Sequence, residues 1–357
     1  ANIERMTNRF KLMGVNLRPH LKTSKSIEVA RLAIEGNFGG ITVSTFREVE
    51  YFAGYGITDM ILASCISPAR LNHAAALRVK EIDLKILIDS PFLAHAISNH
   101  GGEHRVLIEM DCGEHRTGVT PGSPKLMEIA HILNAASNVK IAGVLTHAGH
   151  SYKCRTIDEM AAIADQERDT VVDAANTLRK AGIDCPIVSV GSTPTALYAR
   201  DLTGVTEARP GVYMFGDLFQ VGIGSSTLDG IALSVLTTVI AHQEGENQLL
   251  IDAGGLALSK DRSTKALEVD CAFGLVCDVQ TGQVIEGLKV ASVHQEHGQI
   301  TSSATINFDH YPIGTQLRIL PNHSCITAAG YDRYNVIDSK HHYPAVDVNI
   351  WGRCNGW

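Results

Sequence analysis

Asn16-Leu17-Arg18-Pro19-His20-Leu21-Lys22 is followed, after Thr23, by Ser24-Lys25-Ser26-Ile27-Glu28-Val29-Ala30-Arg31-Leu32-Ala33-Ile34-Glu35, and then by Gly40-Ile41-Thr42-Val43-Ser44. The outer two segments are short and strand-like, whereas the middle one repeats apolar residues every three or four positions, as a helix does. The same alternation continues outward. Further strands are predicted at Met60–Ser64, Leu84–Asp89, Val106–Asp111, Ile141–His147, Ile187–Gly191 and Thr206–Tyr213, with helical stretches such as Thr45–Tyr55, Pro124–Ala136 and Ile157–Ala181 between them. That makes eight strands, the number that closes a barrel, while open doubly wound sheets commonly use five or six and carry a Gly-rich turn after the first. No GxGxxG follows Lys22, so residues 1–222 read as a (β/α)8 TIM barrel whose chemistry belongs at the strand C-terminal ends.

Past Gly222 the helical period gives way to short β-type runs at Ala232–His242, Gln248–Asp252, Leu275–Val279, Leu288–Ser292 and Gln316–Leu320. Residues 223–357 are therefore predicted to form a second, β-rich domain. Composition narrows the function. With 357 residues, 45% of them hydrophobic, the chain is long enough for a large core, which excludes disorder. A net charge of −7 argues against nucleic acid or an anionic membrane as the main partner, although a local basic pocket for a small anion remains compatible with it. No apolar run approaches the roughly 20 residues of a spanning helix. Eight cysteines without a CxxC fit reduced thiols and a cytoplasmic location. No targeting segment is visible. The chain opens at Ala1 in the helix-like ANIERMTNRFKLMG, and the natural N-terminus is expected to extend further.

Three groups of residues carry chemistry. Strand alternation puts Arg18, His20 and Lys22 on one face, pointing into the barrel if Leu17, Pro19 and Leu21 meet the outer helices. Buried cations need counter-charges, which Glu109 and Asp111 on the fifth strand could supply, with Arg116 just beyond. A lysine in such surroundings suits Schiff-base formation; the same spacing also suits an exposed lysine beside a structural Arg18 ion pair. The second group is Ser189-Val190-Gly191-Ser192-Thr193-Pro194-Thr195 with Arg209-Pro210-Gly211-Val212-Tyr213, at the seventh and eighth strands, where barrels of this kind often hold a phosphate.

The third group is Pro321-Asn322-His323-Ser324-Cys325. Its i, i+2 imidazole and thiol would share a face of an extended segment and suit zinc with open coordination positions; a core histidine beside a free cysteine is the alternative. His147, His150 and Tyr152 follow the sixth strand where active-site loops belong, and His297 in Gln295-Glu296-His297-Gly298 is either a catalytic polar group or part of an exposed turn.

Together RPHLKTSK, EMDCGEHRTGV, LTHAGHSY, VSVGSTPTA, ARPGVYMFGD, QEHG and LRILPNHSC, in this order across nearly the whole chain, resemble the D-serine dehydratase and D-threonine aldolase family of fold-type III pyridoxal-phosphate enzymes. The resemblance implies an alanine racemase N-terminal-domain-like barrel. It implies that Lys22 carries pyridoxal 5'-phosphate, that Arg116 lies near its phenolic oxygen, that Tyr152 lines its pocket, and that Thr193, Gly211 and Val212 bind the phosphate. His323 and Cys325 resemble the metal pair of the dehydratase branch, with Zn2+ expected, and the cysteine tilts the reading from aldol cleavage toward dehydration of a D-β-hydroxy amino acid. Lys22, His147 and His297 are the expected catalytic set. A homodimer without nucleic-acid or membrane partners is expected. The family normally begins with a further segment whose strand joins the β domain, and this chain starts within the helix that follows it.

Overall fold

The computed structural model describes residues 1–337 and 349–356; residues 338–348 and 357, within the predicted second domain, lie outside them. The chain packs as two units that divide between Gly211 and Val212.

In the first unit all eight predicted strands form. They are β1 (Asn16–Leu17), β2 (Ile41–Val43), β3 (Asp59–Cys65), β4 (Asp83–Ile88), β5 (His104–Met110), β6 (Val139–Thr146), β7 (Ile187–Val190) and β8 (Glu207–Ala208). Every pairing is parallel, in the order β1-β8-β7-β6-β5-β4-β3-β2. A parallel bridge between His20 and Thr42 joins β1 to β2, so the sheet closes into the expected barrel. Helices α1 (Asn2–Met13), α2 (Ile27–Ile34), α3 (Phe46–Gly54), α4 (Leu71–Val79), α5 (Pro91–Ser98), α6 (Lys125–Asn134), α7 (Ile157–Lys180) and α8 (Thr193–Tyr198) make up the rest of its regular helical structure. Strand residues are buried on both faces, as from Leu84 to Ile88 and from Val106 to Met110, which explains why these runs are apolar apart from one buried charge each, Lys85 and Glu109.

Strands β1 and β8 are shorter than predicted because Pro19 and Pro210 each remove a backbone donor. Lys22 consequently lies in a turn rather than a strand, and alternation does not govern its direction. Arg18 does point inward, as its partners show, but those partners are Glu207 at 2.8 Å and Asp59 at 2.7 Å, not Glu109 or Asp111. The reason is axial position. Arg18 lies level with the starts of the strands, beside Glu207 and Asp59, whereas Glu109 and Asp111 sit at the far end of β5. Above this charged layer comes an apolar one containing Ile61, Leu87, Leu107 and Leu145.

The second unit is a closed antiparallel barrel of β9 (Val235–Gln243), β10 (Gln248–Ile251), β11 (Gly274–Asp278), β12 (Val284–Val293), β13 (Gly298–Ser302) and β14 (Gln316–Pro321), in the order β10-β13-β12-β11-β14-β9. Its core of Val239, Leu249, Ile251, Val276, Val290, Ile300 and Ile319 comes from alternate inward positions. Five of these strands overlap predicted runs. β13 was not anticipated, because Ile300 is its only buried large apolar residue and one such side chain gives no period to read. Short helices α9 (Leu218–Gly222), α10 (Gly255–Leu258) and α11 (Ser324–Ala329) and the pair β15 (Arg333–Val336) with β16 (Asn349–Gly352) also belong to the unit. Among the described residues no helix is long and apolar enough to cross a membrane.

Candidate active site

At the C-terminal ends of the first barrel's strands, Lys22 and Arg209 lie close enough to act electrostatically on both His20 and His147, and Arg116 close enough to act on His147. Burial, with the charges of Lys22, Arg209 and His147, holds His20 well below the usual imidazole range. The His20 ring nitrogen Nδ1 accepts from the Lys22 amide at 3.4 Å. Burial also lowers His147 to about 3; its hydrogen bond to Gly191 opposes this, and the charges of Lys22, Arg116 and Arg209 add to it. Nδ1 of His147 faces the Gly191 carbonyl oxygen. A carbonyl only accepts, so Nδ1 carries the proton and Nε2 presents a lone pair. Two neutral imidazoles thus stand beside an exposed lysine amine.

Arg209 is buried and donates to Ser189 Oγ and, at 2.6 Å, to the Thr146 carbonyl, while Glu207, Glu167 and Glu109 offset its charge. Exposed Arg116 pairs loosely with Glu114 at 3.5 Å. Tyr152 Oη accepts from the Thr193 amide at 3.4 Å, and Ser192 Oγ lies 2.9 Å from Ser151 Oγ. The loops after β6 and β7 are therefore stitched together by hydroxyls. Gly211 is required where it stands, since a Cβ there would come 2.7 Å from the His20 carbonyl oxygen. This close approach brings the end of β8 against the Lys22 turn, and the resulting cradle of backbone, hydroxyls and cations fits a phosphorylated aldehyde cofactor. Val212 opens the second unit, in a 3₁₀ turn over Val212–Met214.

His323 and Cys325 do come together, although not on an extended segment. His323 is the N-cap of α11 and Cys325 lies in that helix's first turn, so the helical twist rather than strand alternation makes them neighbours. The His323 ring bonds the Cys325 side chain, and its Nδ1 lies 2.7 Å from Asp261 Oδ2. Burial disfavours the charged ring, but the bonds to Asp261 and Cys325 and the charges of Cys325 and Asp217 outweigh it and raise His323 to about 10. The His323 bond is the main cause that lowers Asp261 to about 2. Fully buried Asp217 accepts from Ser324, the residue between the pair, through its amide at 2.9 Å and its hydroxyl at 3.3 Å.

Among the described residues no group of three or more His, Cys, Asp or Glu side chains forms a metal cage. An imidazole with a thiolate, the former oriented by a carboxylate, is nonetheless a donor set that fits a soft divalent ion with open positions. His297 is exposed in the turn between β12 and β13, where its carbonyl accepts from the His294 amide at 2.8 Å; His323 interacts with Asp261, Cys325 and Asp217.

Three carboxylates of these clusters escaped the sequence reading. Glu167 carried a signal, as a charge within the apolar stripe Met160, Ala164, Val171, Ala174 and Leu178 of α7. Asp217 could be read as a helix cap, since it precedes Leu218-Phe219-Gln220, and it caps α9. Asp261 had no local signal, being brought to His323 by tertiary folding alone.

Fold and strand-end chemistry define a fold-type III pyridoxal-phosphate enzyme of the alanine racemase type. Residues 1–218 match the alanine racemase N-terminal domain family and residues 232–337 the serine dehydratase domain family. The chain is 43% identical to D-threo-3-hydroxyaspartate dehydratase from Delftia sp. (strain HT23), over 100% of this chain and 94% of that one. It is 33% identical to D-serine dehydratase from Dictyostelium discoideum, over 95% of this chain and 90% of that one. A cysteine-to-alanine variant of D-threo-3-hydroxyaspartate dehydratase, solved in the metal-free form, superimposes with a TM-score of 0.95 at 42% identity, over 100% of this chain and 94% of that one. The protein belongs to the D-serine dehydratase and D-threo-3-hydroxyaspartate dehydratase family of pyridoxal-phosphate-dependent D-amino acid lyases.

Proposed function

We propose that this protein removes water from a D-amino acid bearing a β-hydroxyl and releases a 2-oxo acid and ammonia, with D-serine and D-threo-3-hydroxyaspartate as the substrates to try first. The observation that carries the reading is the imidazole–thiol pair His323 and Cys325 braced by two carboxylates, in a chain whose barrel presents a lysine among neutral imidazoles.

Lys22, Arg116, Tyr152, Thr193, Gly211 and Val212 would hold pyridoxal phosphate. When bound, the cofactor supplies the electron sink that makes the substrate's Cα–H bond acidic. A zinc ion on His323 and Cys325 would supply a Lewis acid for the departing β-oxygen, a poor leaving group near neutral pH. Lys22 serves as the base at Cα. His147, neutral and with Nε2 unprotonated, receives or relays a proton within the barrel, and His297, exposed at its turn, is the candidate proton donor of the second unit. The enamine released hydrolyses in water to the oxo acid and ammonia.

A panel of D-β-hydroxy amino acids, assayed with and without added zinc for ammonia and for aldehyde, tests the proposal. Ammonia with an equal amount of 2-oxo acid is the expected outcome. Glycine with an aldehyde would overturn it in favour of retro-aldol cleavage.

A further inference from the structure

Glu167 is 1% exposed in the middle of α7. A carboxylate placed there must be fully bonded to be tolerated. Its Oε1 accepts from the Ala148 amide at 3.0 Å and from the Gly191 amide at 2.9 Å. The Thr195 hydroxyl bonds the same carboxylate, and Arg209 faces it with a positive charge. The two amides belong to different loops, one after β6 and one after β7. They also flank a single hydrogen bond, because Ala148 follows His147 and the carbonyl of Gly191 accepts from His147 Nδ1. Carboxylate, Ala148, His147 and Gly191 thus form a closed ring of covalent and hydrogen bonds, with Glu167 as the only member that comes from a helix.

Closure of this ring has a chemical consequence. An imidazole free to rotate divides its proton between two nitrogens, whereas one held against a fixed carbonyl keeps it on Nδ1. Burial prevents the ring from charging instead. Gly191 cannot retreat from the contact by exchanging for a bulkier residue, since a Cβ there would lie 2.8 Å from the Arg209 amide nitrogen.

We infer that Glu167 is a positioning residue which, by clamping the Ala148 and Gly191 amides, fixes the His147 ring in the tautomer that leaves Nε2 unprotonated at the strand ends. It is not a catalytic residue, since its bonds are all to the protein. The kinetic part of the inference rests on the lyase reading above; the tautomer itself does not.

Nitrogen-15 spectra of the holoenzyme labelled at histidine, with His147→Gln to assign the ring, read the tautomer directly. Wild type and Glu167→Gln, whose side-chain carbonyl still accepts both amides, should show His147 protonated at Nδ1. Glu167→Ala should show a mixture of tautomers. If Glu167→Ala does not fold, Glu167→Asp, with its carboxylate one methylene short, carries the same expectation. In turnover, the variant that loosens the clamp should lose roughly 100-fold in kcat with little change in KM, as misplacement of a reacting group does. In a His147→Gln background the same substitution should cost nothing further. An unaltered tautomer, or an equal loss of kcat in both backgrounds, would overturn the inference. Wild-type enzyme that releases no ammonia from any D-β-hydroxy amino acid would defeat the functional reading, and the tautomer spectra would still decide the role of Glu167.

Discussion

Asp261 Oδ2 and His323 Nδ1 stand 2.7 Å apart, 62 residues distant in sequence, and this one bond leaves Nε2 as the imidazole nitrogen available on the opposite side of the ring. Carboxylates behind ligating imidazoles set both ring angle and basicity. Asp261→Ala is therefore expected to weaken zinc binding by roughly 10- to 100-fold, measured as metal retained after equilibrium dialysis. The visible absorption of pyridoxal phosphate, proposed above to sit on Lys22, should not change. Wild-type zinc retention would separate Asp261 from any metal site.

Substitutions at the two ends of the chain should separate cofactor from metal. Lys22→Ala is expected to lose the absorption of lysine-bound pyridoxal phosphate together with turnover. Cys325→Ala should retain that absorption but lose turnover, and added zinc should not restore it. A Cys325→Ala enzyme that is active and indifferent to chelators would remove the metal from the reaction.

At the opposite end of the barrel, Arg18 is 2% exposed and Glu207 is 4% exposed, with 2.8 Å between Nε and Oε2. Removing one partner of a buried pair strands the other charge. Arg18→Leu should destabilise the fold by about 3–5 kcal/mol in urea unfolding, and Arg18→Leu with Glu207→Leu should recover part of the loss. A cost near that of a surface substitution would show that water reaches the pair.

His104 and His100 predict a pH dependence of stability. His100 Nδ1 accepts from the Gly102 amide at 3.1 Å, so its proton is on Nε2, which donates to Asn72; His104 Nε2 then donates to the same Nδ1 at 2.9 Å. Burial, with the neighbouring charges of His100 and Arg78, lowers His104 to about 4. In the unfolded chain the ring takes a proton near pH 6.5. The unfolded state thus binds more protons between these values, and stability present above pH 6.5 is lost as pH falls toward 4, by about 3 kcal/mol over the window. His104→Leu should flatten that part of the stability–pH curve. An unchanged slope would assign the acid sensitivity to other groups.

How much could be read without coordinates depended on how local the signal was. Period and length alone located the strands of the first barrel, because each βα unit buries its own apolar stripe and repeats the pattern in sequence. Proline positions cut β1 and β8 short, and the strand-face argument that worked for the direction of Arg18 failed for Lys22, three residues past Pro19. The His323 and Cys325 pair was legible as two ligand types close in sequence, although the wrong local geometry was assigned to it.

Tertiary structure alone decided which charges neutralise which. Arg18 meets Glu207 across 189 residues, Glu167 gathers amides from two loops, and Asp261 reaches His323 across 62. Sequence periodicity reports which side of an element is dry, since hydrophobic burial is a property of each segment in turn. A hydrogen bond between distant segments depends on distances of a few tenths of an ångström, which only the packed chain sets.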